Sequence, residues 1–534
     1  MRLADVVDAT TAAALRAAWL HAELEPVSET GRRAAQNVAP FRPGEEREAR
    51  ERAQRIADLA RAIEAGHVDA LRDALRLAPD PIAAIARCAM GEVLSDAQFL
   101  ELMRFLDAVA RIDALLGASS VPLPYASDAS REVARVLEGG RAGKFGFYLS
   151  ENFDTALAQA RARAQAAQAE YESSRGRLAQ RVAAELRREE IAGAEFIVMR
   201  EDAPELPRGV RVVREAPTYY LCELELDDAA LEALRKRDAA ADLVAAAEET
   251  VRARVSARIR DRLRELEDVL RAIGMLDVEL ALVRFTQQYA CCVPEIVEGQ
   301  ELAFEEARYL PLQRELESQG RRYEPISVRL QDVAVLTGPN MGGKSVALRT
   351  CGFIAALVAF GIPVPAASAR SCLFEQIAWL GIGAHEELGG LLSSFAHEVV
   401  RLKELLARAP ARMLLLIDEF ARTTTPSEGK ALLVALIRGL RRRGRLALMA
   451  THLAGIAAEA GVQHFAVRGL RDVPKTAANG DLHAALAALA GAMDYAVVEV
   501  SANAEHGADA IVLAELLGLD EDLVADAKKQ TWIP

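Results

Sequence analysis

The run Val333-Ala-Val-Leu-Thr337, then Gly338-Pro339-Asn340-Met341-Gly342-Gly343-Lys344-Ser345, then the helical Val346-Ala-Leu-Arg-Thr350, decides the fold. A buried-strand pattern, a G-x-x-x-x-G-K-S loop and a helix in this order make a phosphate cradle. The glycines let backbone N–H groups turn inward on phosphate oxygens, and the helix N-terminus adds its partial positive charge. Lys344 is placed to reach the β and γ oxygens, and Ser345 to hold Mg²⁺.

Two further strands complete this pattern. Met413-Leu-Leu-Leu-Ile417 is a continuous apolar run of the kind a buried parallel strand needs, and it ends in Asp418-Glu419. Asp418 is expected to order Mg²⁺ and its waters, and Glu419 to polarise an attacking water. Leu446-Ala-Leu-Met-Ala450 ends in Thr451-His452, which puts His452 where it can sense a γ-phosphate by hydrogen bonding. Together the three predict a site for ATP and Mg²⁺.

Around this site the composition narrows the field. The chain has 534 residues and a formal net charge of −13, with 8 Lys against 57 Arg. That length suggests three to four structural units with ample apolar content for a core. An acidic chain of this kind is not a histone-like, charge-driven nucleic-acid binder, although a local basic groove is compatible with it. The six cysteines form no C-x-x-C pair and have no His at zinc spacing, so the expectation is a reduced, cytoplasmic protein without a metal knuckle. Asp5 and Asp8 interrupt the first apolar residues, which argues against a secretory leader. The most apolar stretch, Cys351 to Ala367, is broken by Pro363 and Pro365; it reads as a buried helix and an extended segment, with no membrane span.

The first 130 or so residues read as short helices, broken near Pro40 to Gly44, Pro79 to Pro81 and Val121 to Tyr125. Phe99, Leu102, Met103, Leu106, Val109, Ile112, Leu115 and Leu116 recur at helical spacing and mark a core-facing stripe. From Asp154 to about Glu190 an Ala-, Gln- and Arg-rich helix can be long but cannot bury much. Alternating and β-branched residues between Phe196 and Glu225 predict a small strand-containing insertion. A second long helix is expected from about Asp228 to Gly274, with Val251, Val255, Ile259, Leu263, Leu266, Leu270 and Ile273 forming a seam that wants a partner. The pair with its insertion reads either as a lever arm with a tip or as an ordinary antiparallel helical pair. After Pro294 short strands alternate with helices, the α/β signature.

Thr337-Gly-Pro-Asn-Met-Gly-Gly-Lys-Ser345, Ser393-Ser-Phe-Ala-His-Glu398, the Asp-Glu strand end and Ala450-Thr-His452 together resemble the ATPase module of the MutS family, a branch of the ABC-type ATPases. The resemblance implies an α + α/β architecture: a helical core with a lever- or clamp-like arm over 1–295 (insertion about 194–226), an ABC-type P-loop ATPase domain over 296–500, and a helical dimerisation segment over 501–534. It implies that Ser393 and Ser394 complete the ATP site of a partner subunit, in a homodimer or a heterodimer with a MutS-like paralogue. Phe395 and Glu398 would support that loop. It also expects an aromatic before the P-loop for adenine stacking, a place Tyr323 occupies.

Several positions depart from the family pattern. Ala421 and Thr423 stand where two glycines are usual, Leu391-Leu392 replaces Gly-Arg, and Leu310-Pro311 replaces His-Pro, all of which puts the hydrolysis rate in question. The chain before Gly338 has no room for a mismatch-reading domain. Of the two Phe-x-Glu triplets, Phe99-Leu-Glu101 lies on the core stripe and Phe304-Glu-Glu306 at the module's edge, so neither suits a lesion wedge. A nuclease-like C-terminal extension, found in another branch of the family, is not expected. The wording around Glu419 to Gly429 is similar to the reactivase subunits of adenosylcobalamin-dependent lysine 5,6-aminomutases, and no cobalamin motif is present. This implies an ATPase that remodels a partner enzyme, with a clamp on mismatched or branched DNA as the alternative.

Overall fold

The computed structural model describes residues 1–118, 128–143, 146–191, 193–203, 205–339, 342–381, 394–407, 409–470, 493–504, 511, 514 and 519–531. A helical N-terminal region is followed by a mixed α/β region built on a parallel sheet. The chain divides into two compact units, one made of 78–111 and 125–270, the other of 1–77, 112–124 and 271–534. Among the described residues no helix is long and apolar enough to cross a membrane.

The first of these units holds a short hairpin, β1 (Arg141–Ala142) and β2 (Gly146–Phe147), and a helical arm. One arm helix, Thr155–Glu185, starts where Asp154 accepts the Ala156 N–H at 2.7 Å. The returning helix, Asp228–Arg260, starts on Asp227, which accepts from Ala230 N–H at 3.0 Å. Each carboxylate satisfies a helix-end donor and complements the helix dipole. The two run antiparallel, as the pairs Arg161–Glu248 (2.8 Å) and Lys236–Glu170 (3.0 Å) require. Between them the chain forms an antiparallel sheet, β3 (Glu195–Met199), β4 (Val210–Glu215) and β5 (Tyr219–Leu224), in the order β3-β5-β4. Its inner face, with Phe196, Val198 and Cys222, packs on Leu178 and Val182 of the outgoing helix.

The helix expected from Asp228 to Gly274 is in fact two, Asp228–Arg260 and Leu263–Gln288. At the junction the Arg262 N–H bonds back three residues to Ile259 O (3.0 Å), before the four-residue step resumes at Leu266. That tightening interrupts the α-helical ladder. Gly274 does not end the second helix. A Cβ there would lie 3.0 Å from Thr30 O and 3.1 Å from the Ala34 methyl, so this glycine permits close helix packing.

In the second unit a four-stranded sheet, β6 (Glu295–Val297), β7 (Leu302–Ala307), β8 (Ile326–Leu330) and β10 (Ser368–Cys372), has the order β6-β10-β7-β8. The larger sheet contains β9 (Val333–Thr337), β11 (Gln376–Gly381), β12 (Met413–Asp418), β13 (Leu446–Ala450), β14 (Gln463–Leu470) and β15 (Met493–Val500). Its order is β11-β12-β13-β9-β14-β15; only β15 runs antiparallel to its neighbour. Helices cover both faces, which is why β12 and β13 read as unbroken apolar runs. On one face Leu433, Val434 and Ile437 of helix Pro426–Arg442 pack against Val335, Leu415 and Met449. The almost wholly buried helix Lys344–Ala359 belongs to the other face, where a Cβ on Gly352 would meet Leu416 Cδ1 at 2.9 Å. Phe99 and Phe304 are both buried, consistent with neither being a wedge.

Candidate nucleotide site

Strand register gathers the three motifs. Asp418 pairs with Ala450, and Ala450 with Leu336, so the ends of β12, β13 and β9 are level. The next residues continue the ladder: Glu419 N–H donates to Ala450 O and Thr451 N–H to Leu336 O, both at 3.0 Å. Thr337-Gly338, Asp418-Glu419 and Thr451-His452 therefore share the carboxyl edge of one parallel sheet, where open α/β sheets bind their ligands.

Gly338 and Gly343 have φ of +151° and +90°, which L side chains rarely adopt. A Cβ at Gly338 would lie 2.9 Å from the Val467 side chain, and one at Gly342 would lie 2.9 Å from Pro339 O. Lys344 is the first residue of its helix, buried, and its Nζ donates to Gly338 O (2.9 Å) and Pro339 O (3.1 Å). It sits 3.8 Å from Glu419 Oε1. Burial pulls the Lys344 amine down, against the opposing pull of Glu419 and Asp418. Asn340, Met341 and Ser393 lie outside the described residues, as do Leu391 and Leu392; Ser394 is the first residue of helix Ser394–Ala407.

Burial pushes the Asp418 carboxyl up, opposed by a hydrogen bond from Ser345. Its Oδ1 is buried with no protein partner. A buried anionic oxygen in that condition is costly, and a hard divalent cation is the group that satisfies it. Ser345 and Asp418 thus fit Mg²⁺. Glu419 is also held at Oε2, 3.2 Å from Arg422. Beside it the backbone is strained: Glu419 and Ala421 have φ of +55° and +62°. Ala421 stands at one of the expected glycine positions, and the positive φ is the physical reason a glycine suits it. His452 is exposed, one residue beyond the buried Thr451.

The Thr-Thr-Pro-x-Glu lettering also has a local cause. Thr424 and Thr425 hydroxyls donate to Glu428 at 3.1 and 2.7 Å, with Pro426 opening the helix. This is helix-start chemistry. The Tyr323 hydroxyl accepts from Tyr309 N–H at 3.0 Å.

Two residues at the site escape a motif reading. His464 on β14 is buried, with Nε2 2.7 Å from Thr337 Oγ1 and Nδ1 3.1 Å from Ser501 O. A carbonyl only accepts, so Nδ1 carries a proton; in the neutral ring Nε2 then accepts from the Thr337 hydroxyl. A His inside the apolar run Val462 to Val467 was the available signal. Tyr495 lies beside the cradle, its Cδ1 3.2 Å from where a Cβ on Gly343 would be; nothing in its local sequence announces that.

Comparison with known proteins agrees with the geometry. Residues 334–532 match the family model for MutS domain V. An Endonuclease MutS2 of Halothermothrix orenii is 30% identical over 213 residues, which is 38% of this chain and 25% of that protein. Those of Thermomicrobium roseum and Clostridium botulinum are 32% and 29% identical over 209 residues, covering 36% and 39% of this chain and 26% of each relative. The likeness therefore spans about a quarter of the length of these relatives. Residues 334–532 thus match the ATPase domain of the MutS family, which is an ABC-type ATPase domain.

Proposed function

We propose that the chain is a dimeric ATP-driven switch that remodels a partner protein, the client being an adenosylcobalamin-dependent aminomutase. In this reading Gly338 to Gly343 and Lys344 bind the phosphates, Ser345 and Asp418 hold Mg²⁺, Glu419 polarises the attacking water, and His452 contacts the γ-phosphate. Ser393 and Ser394 complete the site of the second subunit. Mg²⁺ held by Ser345 and Asp418 would supply charge neutralisation of the phosphates. The aminomutase is suggested by the Glu419 to Gly429 segment.

The observation that carries a protein client over DNA is the sheet at the arm's end. Ile197, Met199 and Val213 are exposed there, and residues 186–226 carry nine acidic against six basic side chains. A phosphate backbone would be repelled, whereas an apolar protein surface would bury that face. Five of the arm's arginines, Arg161, Arg181, Arg237, Arg252 and Arg254, each pair with a carboxylate of the same unit.

The test is a reactivation assay with an inactivated aminomutase, ATP and this protein, run beside binding to heteroduplex and homoduplex DNA at physiological salt. Restored turnover that Ile197→Lys removes supports the proposal. No reactivation, together with tight heteroduplex-selective binding, would establish the DNA clamp instead.

A further inference from the structure

The strained segment after Glu419 contacts the N-terminal part of helix Ser394–Ala407. Glu398 of that helix is buried, and its Oε2 accepts the Ala421 N–H at 2.9 Å. Phe395, one helical turn earlier, packs on Phe420 with ring centroids 6.2 Å apart at 45°. Phe420 and Ala421 are buried in the core beneath β12. The backbone at Glu419 is fixed on its other side by the bond from its N–H to Ala450 O.

A left-handed conformation at a non-glycine residue persists only when its surroundings over-determine it. Ala421 would relax toward negative φ if its N–H lost its acceptor, and the relaxation would swing Phe420 and the Glu419 carboxylate with it. We propose that Glu398, assisted by Phe395, is a positioning residue for Glu419: it holds Ala421 in the left-handed turn that aims the Glu419 carboxylate at the nucleotide site. Burial raises the Glu398 carboxyl, so an amide oxygen, which accepts the same bond without a charge to desolvate, can replace it. Ser394, offered to a partner subunit in the proposed function, opens the helix that carries Phe395 and Glu398.

This proposal rests on the role given to Glu419 above. The test measures kcat for ATP hydrolysis and nucleotide affinity separately in the full-length protein. Glu398→Ala is expected to lower kcat about ten- to a hundredfold, as misplacement of a catalytic group does, with nucleotide affinity within twofold of the parent. Glu398→Gln is expected to keep kcat within about threefold, because Oε1 still accepts from Ala421. In an Ala421→Gly background, where the left-handed turn is unstrained, Glu398→Ala is expected to cost at least threefold less in kcat. Parental kcat in Glu398→Ala, a Glu398→Gln as impaired as Glu398→Ala, or losses that simply multiply in the double variant would overturn the proposal. If Glu398→Ala does not fold, Glu398→Gln and Phe395→Leu decide: a near-parental first and a kcat-impaired second support it, and any other pair of results refutes it. Glu419→Gln separates the two levels. Parental turnover there removes the assigned role of Glu419, whereas an inactive Glu419→Gln beside a fully active Glu398→Ala removes only the positioning role.

Discussion

Asp418→Asn should stabilise the nucleotide-free protein while disabling its response to Mg²⁺-ATP. Asp418 ends a strand whose other residues are all buried, its Oδ1 has no protein partner, and burial holds its carboxyl above the ordinary carboxylate range. A buried acceptor left unsatisfied costs about 1–3 kcal/mol. Asparagine keeps the shape and an oxygen for Ser345 but removes the charge that must be desolvated, so much of that cost is recovered. For a folded unit of this size the gain corresponds to a rise of about 1–4 °C in Tm. In the parent, saturation with Mg²⁺-ATP at about a hundred times its Kd adds roughly 2.7 kcal/mol. The variant should lose most of that increment, because the oxygen that recruits the cation has become a weaker, neutral donor to the metal. Differential scanning calorimetry with and without Mg²⁺-ATP reads both effects. A variant less stable than the parent without nucleotide, or one that Mg²⁺-ATP stabilises as strongly as the parent, would refute the reasoning.

Three further outcomes can be measured. Lys344→Ala should abolish nucleotide binding by equilibrium titration, whereas Glu419→Gln should bind ATP and fail to turn it over; unchanged turnover in Glu419→Gln contradicts the assignment. Asp277 is fully buried and accepts from Val27 N–H (3.1 Å), Ser28 N–H (2.7 Å) and the Ser28 hydroxyl (2.6 Å). Asp277→Ala, which strands those donors, should cost about 3 kcal/mol in urea unfolding, and a loss below 1 kcal/mol would show that water replaces the carboxylate. Asp8 is pushed up by burial but pulled further down by hydrogen bonds from Thr11 and Arg401, so its carboxyl lies below the ordinary range. A depressed carboxyl contributes stability that is complete above its unfolded pKa and lost as pH falls through the folded one. Asp8→Asn should therefore be less stable than the parent at neutral pH, with the difference closing in acid; a constant difference at all pH values would contradict this.

Local patterns located the strand ends that meet at the candidate site because each motif is a strand end plus its next residues. The run Val333 to Thr337 must be a buried parallel strand, and the glycine spacing after it leaves the backbone little choice but a cradle. The same holds for Met413 to Asp418 and Leu446 to Ala450, whose unbroken apolar character follows from burial on both faces. Periodicity likewise exposed the seam of Val251, Val255 and Ile259 and the strands of the small insertion. It misled at Gly274, where a residue that looks like a helix stop permits a close contact with Thr30 and Ala34 instead. No one-dimensional pattern distinguishes those two uses of glycine.

Only the tertiary structure decided which residues from distant segments meet. Strand order places β13 between β12 and β9, so the level alignment of Asp418, Ala450 and Leu336 depends on pairing across more than a hundred residues of chain. The Glu398 contact to Ala421, the His464 link between Thr337 and Ser501, and Tyr495 beside Gly343 arise the same way. The substitution of alanine for glycine at 421 was legible as a letter, but the φ of +62° that gives it meaning is a property of the folded loop. Backbone propensities and spacing act over a few residues and are written in the sequence; the partners that satisfy a buried donor or hold a strained turn are chosen by packing, which acts across the whole domain.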